Sequence, residues 1–289
     1  MLLLQNLSNA LILACTYILM AAGLTMVYGV LKVLHIAHAS VYTVGAFVGV
    51  LAFSWMGNFW VALAIAMLVS GVFGVLIYRF TYFYLLSAPR TVPLIASVGM
   101  FVMFTDLLQK PFLMGAYQQA FPAGGAGLQA IKTALFSFTA KQVLILMVTI
   151  ILLAIVYLIL TRTKLGLSWQ AASMDREMAS AVGINLNQSI AANFFLGSAL
   201  AGAAGVLVGV YNNSVFATMG DLPSYKAFII IVLGGMGSLP GAILAGLILA
   251  IVENFLVASI GYVLPRDSIA FLVLILMLMF RPNGLLGRE

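Results

Sequence analysis

The chain has 289 residues, of which 64% are hydrophobic and only 7% charged, with a mean hydropathy of +1.18. A soluble globular domain carries roughly a quarter charged residues, so this composition excludes that class and indicates a polytopic membrane protein. The net charge of +6 does not indicate nucleic acid: the basic residues are scattered between apolar runs and form no stripe.

In chain order the candidate membrane segments are Leu7 to Leu31, Val41 to Met56, Phe59 to Tyr78, Val92 to Gln109, Gln142 to Thr161, Ser189 to Tyr211, Ala227 to Leu239, Gly241 to Ile260 and Ser268 to Phe280. At about 20 residues per crossing, this predicts an all-α transmembrane bundle of about eight or nine segments, one integral domain over residues 1–289. The first segment lacks a basic leader and is long for a cleaved signal, so it is read as a retained span. Ala227 to Leu239 is short and runs into Gly234, Gly235, Gly237 and Pro240; it reads either as a broken or re-entrant helix or as one arm of a tight hairpin. Cys15 is the single cysteine, which excludes an intramolecular disulfide and a cysteine metal cluster.

Basic residues near the segment ends divide into two groups. Lys32, Arg79, Arg90, Arg162, Lys164, Arg176, Arg281 and Arg288 fall on one side, and Lys110, Lys132, Lys141, Lys226 and Arg266 on the other. The more basic side is expected to be cytoplasmic, with the N-terminus outside and the C-terminus inside. The apolar loop from Lys110 to Lys141, with Phe112, Leu113, Phe121, Leu135 and Phe136, is then external and is expected to pack on the external mouth. Gly197, Ala201, Gly205 and Gly209, with Ser198 and Gly202 beside them, and later Ala242, Gly246 and Ala250, form small-residue faces suited to close helix contact.

A polar island from Arg162 to Gln188, residues 162–188, interrupts the apolar pattern on the cytoplasmic side. Ser173 is a candidate N-cap, Asp175 and Glu177 suit a first helical turn, and Gly183 suits its end. The expected helix is two to three turns long. Met174, Met178, Ala181 and Val182 give it an apolar stripe opposite Asp175, Arg176 and Glu177. Such a helix requires a partner or a membrane surface.

No nucleophile, acid and base converge, and no phosphate-binding glycine loop occurs, so the chain is expected to be a non-enzyme without a nucleotide site of its own. His35 and His38 share a helical spacing but lack a third ligand, so they read as hydrogen-bonded residues at the cytoplasmic break between the first two segments. Charges in membrane helices are costly. Asp106 is therefore expected to meet Lys110, Glu253 to snorkel or meet Arg266, and Lys226 to meet Asp221. Alternatively, Lys226 faces a cavity and attracts an anionic group such as a substrate carboxylate.

Four stretches carry a resemblance: Gly23 to Ser40, GLTMVYGVLKVLHIAHAS; Met178 to Gly209, MASAVGINLNQSIAANFFLGSALAGAAGVLVG; Lys226 to Ala242, KAFIIIVLGGMGSLPGA; and Phe280 to Gly287, FRPNGLLG. In this order they resemble the permease family of branched-chain amino acid ABC importers, particularly its shorter LivH-type members. The resemblance implies a multi-pass subunit of the bacterial inner membrane lying in the lipid bilayer. It would pair with a second homologous permease, sit on two cytoplasmic ATPase subunits that bind ATP and Mg, and receive solute from a periplasmic substrate-binding protein. The island then becomes the ATPase coupling loop, with Ser173, Met174, Asp175, Arg176, Glu177, Met178, Val182 and Gly183 at the contact. His35, His38, Ser40, Lys226, Gly234, Gly235, Gly237 and Gly241 are candidate path or gate residues. The chain departs from the family at His35-Ile36-Ala37-His38-Ala39, where Asn-Phe-Ala-His-Gly is usual, and at Leu167-Ser168-Trp169-Gln170, where relatives are more basic. The expected cargo is a branched-chain or other hydrophobic amino acid moved by ATP-driven alternating access; urea, amides or sugars, a proton-coupled secondary carrier and a passive channel are the alternatives.

Overall fold

The computed structural model describes residues 2–121, 131–132, 137–260, 265–281 and 283–287. The helices in chain order are α1 (Leu2–Leu31), α2 (His38–Met56), α3 (Phe59–Ile77), α4 (Phe83–Leu85), α5 (Thr91–Leu108), α6 (Ala140–Arg162), α7 (Lys164–Met174), α8 (Arg176–Ala181), α9 (Leu186–Asn212), α10 (Asp221–Gly234), α11 (Leu239–Ile260) and α12 (Arg266–Phe280). A π-helical turn, Tyr78–Tyr82, joins α3 to α4. Four two-residue strands complete the described elements: β1 (Gln119–Ala120) pairs antiparallel with β4 (Ser214–Val215), and β2 (Ile131–Lys132) with β3 (Ser137–Phe138).

Each of the nine apolar segments corresponds to a helix. Among the described residues seven helices are long and apolar enough to cross a membrane; α10 and α12, with 14 and 15 residues, rise only about 21 to 23 Å at 1.5 Å per residue, short of the roughly 30 Å hydrocarbon core. α1 and α9 are the most deeply buried spans, whereas α5 and α6 turn most of their apolar surface outward, as lipid-facing helices do.

The small-residue faces explain the centre. At the α1–α9 crossing Gly23 faces Gly197, where an added methyl would sit 2.7 Å from the Gly23 carbonyl oxygen; one at Gly205 would sit 2.2 Å from the Tyr42 carbonyl oxygen. Only glycine lets the backbones of α1, α2 and α9 approach this closely. The second face packs α11 on α1, with Ala242 and Ala250 buried and Gly246 against Ile18.

One end of the bundle gathers the last turn of α1, the α7–α8 island and the turn after α10. The other gathers the start of α6, the end of α9 and strands β1 and β4. Phe121 seals this second end: it is buried, its ring lies 5.8 Å from Phe53, and its N–H donates to the Asn213 carbonyl at 3.0 Å. Lys141 also reaches the Asn213 side chain. This part of the apolar loop packs as expected, but Phe112 and Leu113 remain exposed; Pro122, Gly124, Gly125, Gly127, Leu135 and Phe136 lie outside the described residues.

The glycine cluster after α10 closes a hairpin at the first end. Gly235 and Gly237 adopt left-handed φ of 98° and 91°, a conformation that favours glycine. Gly237 lies against Gly29, near the end of α1, and Gly234 packs on Gly241. The C-terminal segment docks there: Leu285 N–H donates to the Leu233 carbonyl at 2.8 Å and Leu286 N–H to the Gly234 carbonyl at 3.0 Å, satisfying carbonyls that a helix end leaves unpaired. The turn thus joins α10 to α11 as a hairpin, although α10, with 14 residues, is shorter than an ordinary span. The break inside the bundle lies before α10, where Gly220 meets the Ala39 carbonyl and Thr43 at the start of α2.

Candidate functional site

Two assemblies of polar groups stand at opposite ends of the molecule. The first is the island. α7 continues through Ser173, because Trp169 and Ala172 are buried and the Trp169 indole N–H donates to the Ser189 carbonyl at 2.7 Å. Ser173 is thus not the expected cap; its hydroxyl donates back to the Gln170 carbonyl. The cap is Asp175, whose carboxylate accepts from the N–H groups of Glu177 and Met178 at 2.8 and 3.1 Å. The helix that follows, α8, has six residues, shorter than expected, and ends at Gly183 with φ 88°.

Met174, Met178 and Val182 are 87%, 63% and 74% exposed, so the apolar stripe lies uncovered. Arg176 turns inward, and its Nη2 donates to the last α1 carbonyls, Val30 at 2.9 Å and Leu31 at 2.6 Å. Partial burial, with the Arg90 guanidinium nearby, pulls the Arg176 guanidinium below its ordinary pKa. A cavity of about 320 Å³ between island and bundle is lined by Leu31, Tyr82, Arg90, Ser173, Met174 and Arg176 among others.

Tyr82, in the lining of this cavity, links it to the histidines. His35 lies in the break between α1 and α2 and His38 opens α2, both of them buried. After Lys32, itself at φ 56°, the chain re-enters, and His38 lies against Gly23 in the middle of α1. His35 Nδ1 is 2.9 Å from the Tyr82 hydroxyl and its ring meets those of His38 and Phe194 edge-on. Ser40 is buried, 3.5 Å from the Phe101 carbonyl. Among the described residues no group of three potential ligands gathers to hold a metal ion.

The second assembly lies toward the opposite end. Lys226 does not pair with Asp221: its Nζ donates to both oxygens of Glu253 at 2.9 Å and lies 3.2 Å from Asp267. Nor does Glu253 snorkel. It is fully buried and takes a further hydrogen bond of 3.0 Å from the Tyr17 hydroxyl. The α10–α11 hairpin sets this register, bringing residues 27 positions apart onto facing turns. The expected Asp106–Lys110 pair does form, at 3.0 Å on the exposed surface. Sequence reasoning missed Tyr17, Asp267 and Tyr82. Tyr17 gives no signal within an apolar run; Asp267, next to Arg266 at a segment start, gives a weak one.

A cavity of about 560 Å³ opens beside this cluster, lined by residues of α1, α9, α10, α11 and α12. Lys226 contributes to its lining while remaining ion-paired and buried. The arrangement offers hydrogen bonding and charge.

Residues 6–280 match the family model described as branched-chain amino acid transport system, permease component. The chain is 35% identical to the high-affinity branched-chain amino acid transport system permease protein BraD of Pseudomonas aeruginosa, over 99% of this chain and 96% of that protein. It is 32% identical to LivH of Salmonella typhimurium over the same shares, and 26% identical to LivM of Escherichia coli over 95% of this chain and 68% of LivM. Among solved structures, PsaBC from Streptococcus pneumoniae in complex with Fab matches with a TM-score of 0.50 at 15% identity, covering 94% of this chain and 89% of that one; this likeness concerns the fold alone. On the family match and the near full-length identity to BraD and LivH, the chain belongs to the permease component family of branched-chain amino acid transport systems.

Proposed function

We propose that the chain is the LivH-type permease subunit of a binding-protein-dependent ABC importer in the bacterial inner membrane. It carries branched-chain amino acids, in keeping with the transport systems for which its relatives BraD and LivH are named. Its partners are a second, homologous permease, two cytoplasmic ATPase subunits and a periplasmic substrate-binding protein; the relatedness to LivM supports the paired permease. ATP and Mg belong to the ATPase subunits.

The more basic end, holding the island, is cytoplasmic. Transport proceeds by alternating access: closure of the ATPase pair shifts the island, and the bundle changes which end is open. The observation that carries this reading is the two-sidedness of the island. Met174, Met178 and Val182 face out, uncovered, while Arg176 grips the end of α1 from within. A surface of that kind binds one body and passes its movement to another.

The test is Met174→Glu or Met178→Glu. Either places a carboxylate in the apolar contact and is expected to lower ATPase co-purification and uptake while membrane insertion stays normal. Unchanged assembly and transport in both variants removes the coupling role.

A further inference from the structure

The cavity near α12 contains a charge arrangement that helix packing leaves unexplained. Lys226 has three N–H donors: it hydrogen-bonds both oxygens of Glu253, and its ammonium forms an ion pair with Asp267 at 3.2 Å. The two carboxylates differ in kind. Glu253 is sealed, with 0% side-chain exposure, and stays tied to Tyr17; Asp267 is 49% exposed and lines the cavity. Lys226 therefore has one fixed counter-ion behind the wall and one replaceable counter-ion in front of it.

We propose that Lys226 and Asp267 form a binding site for the zwitterionic head of an α-amino acid entering this cavity. The ligand carboxylate takes the place of Asp267 on the Lys226 ammonium. The released Asp267 carboxylate takes the ligand ammonium. The exchange supplies a partner to each displaced charge in a low-dielectric setting, whereas a simple carboxylate displaces Asp267 from Lys226 and brings it no cation in return, and a simple amine must pull Asp267 from Lys226. Of the described residues lining the cavity only Lys226, Arg266 and Asp267 are charged, and Ile12, Leu13, Val208, Phe216 and Leu222 give apolar wall for a hydrocarbon side chain. Charge confined to one region, apolar wall alternating with uncharged polar residues such as Asn9, Thr16 and Asn254, and a volume of about 560 Å³ match the general build of a small-molecule site.

This inference rests on the amino-acid importer reading and names where the permease itself meets the solute. The assembled importer, with its ATPases and second permease, is placed in nanodiscs without binding protein. Binding of leucine, isocaproate (no ammonium) and isoamylamine (no carboxylate) is compared by saturation-transfer NMR, in the native complex and in Asp267→Asn. In the native complex leucine is expected to bind at least about tenfold more tightly than either analogue, the scale of losing one charge-assisted hydrogen bond. In Asp267→Asn the order changes: leucine weakens and isocaproate strengthens, because Lys226 then lacks its replaceable counter-ion. A merely structural Asp267 lowers all three together, and that result overturns the proposal. So does an absence of leucine binding in a complex that still imports leucine when binding protein is added. A native complex that imports no branched-chain amino acid even with its binding protein overturns the importer reading as well, which separates the two failures.

Discussion

Replacing Arg176 by alanine tests whether the island drives α1. α1 ends at Leu31, and its final carbonyls have no helical partner; the Lys32 N–H turns back to the Tyr28 carbonyl at 2.7 Å, leaving Val30 and Leu31 to the guanidinium at 2.9 and 2.6 Å. Two charge-assisted hydrogen bonds at a helix C-terminus contribute about 1.5 to 3 kcal/mol each when shielded. Arg176 is only partly buried, so solvent screening reduces the pair to about 2 kcal/mol in all. That corresponds to about a thirtyfold weaker hold of α8 on α1. In proteoliposomes containing the whole importer, Arg176→Ala is expected to keep its ATPases and to hydrolyse ATP, yet to import fewer solute molecules per ATP than the native complex. Arg176→Lys retains the charge but loses the planar fork, and is expected to fall between them. The assay is uptake and phosphate release measured on the same vesicles. An unchanged ratio in Arg176→Ala, with normal assembly, refutes the mechanical link.

Lys226→Met strands the buried Glu253 carboxylate and is expected to cost about 3 to 5 kcal/mol of stability, while Lys226→Met with Glu253→Leu recovers most of the loss; thermal melts followed by size-exclusion fluorescence compare them, and equal losses contradict the pairing argument. Gly205→Ala drives a methyl to 2.2 Å from the Tyr42 carbonyl oxygen, whereas the same change at Gly99 meets nothing within 4 Å. The first is expected to cost about 1 to 3 kcal/mol, as overpacking does, and the second to be neutral or slightly stabilising; the same melts measure both, and a harmless Gly205→Ala refutes the close-contact account. Spin labels at Asn9 and Lys32, at either end of α1, are expected to hold their separation when the assembled importer binds ATP. A change above about 3 Å, two residues of helical rise, shows that α1 bends.

What the sequence disclosed and what it withheld follow from the range of the interactions involved. The membrane segments and small-residue faces are properties of composition and period, and they are readable without tertiary structure. So is the turn at Gly235 and Gly237, because a left-handed pair of glycines leaves a local mark. The cap is Asp175 and not the expected Ser173. Both are good capping residues, and the outcome depends on Trp169 and Ala172 being buried, which keeps Ser173 inside α7. The partner of Lys226 was hidden for a different reason: Asp221 is near in sequence, but only the folded hairpin brings Glu253, and only the seating of α12 brings Asp267. The depth of His38 likewise depends on the chain folding back to Gly23, a path that no local pattern encodes.

These contacts give α1 a particular mechanical position. Along its length it meets Glu253 through Tyr17, Gly197 and His38 at Gly23, Gly237 at Gly29, and Arg176 at its last two carbonyls. Its 30 residues extend about 45 Å as a continuous helix. The Gly23–Gly197 crossing is backbone on backbone, with the His38 ring and the Val27 side chain packed beside it. A push on Arg176 therefore has two outlets: bending α1, against its hydrogen-bonded ladder, or moving α1 as a body, pivoting where it crosses α9. Packed helices change state by such rigid shifts more readily than by continuous deformation. The Tyr17–Glu253–Lys226 cluster lies on the far side of that crossing from Arg176. Under the proposed orientation, movement imposed at the ATPase face is thus delivered to the wall of the external cavity through one helix.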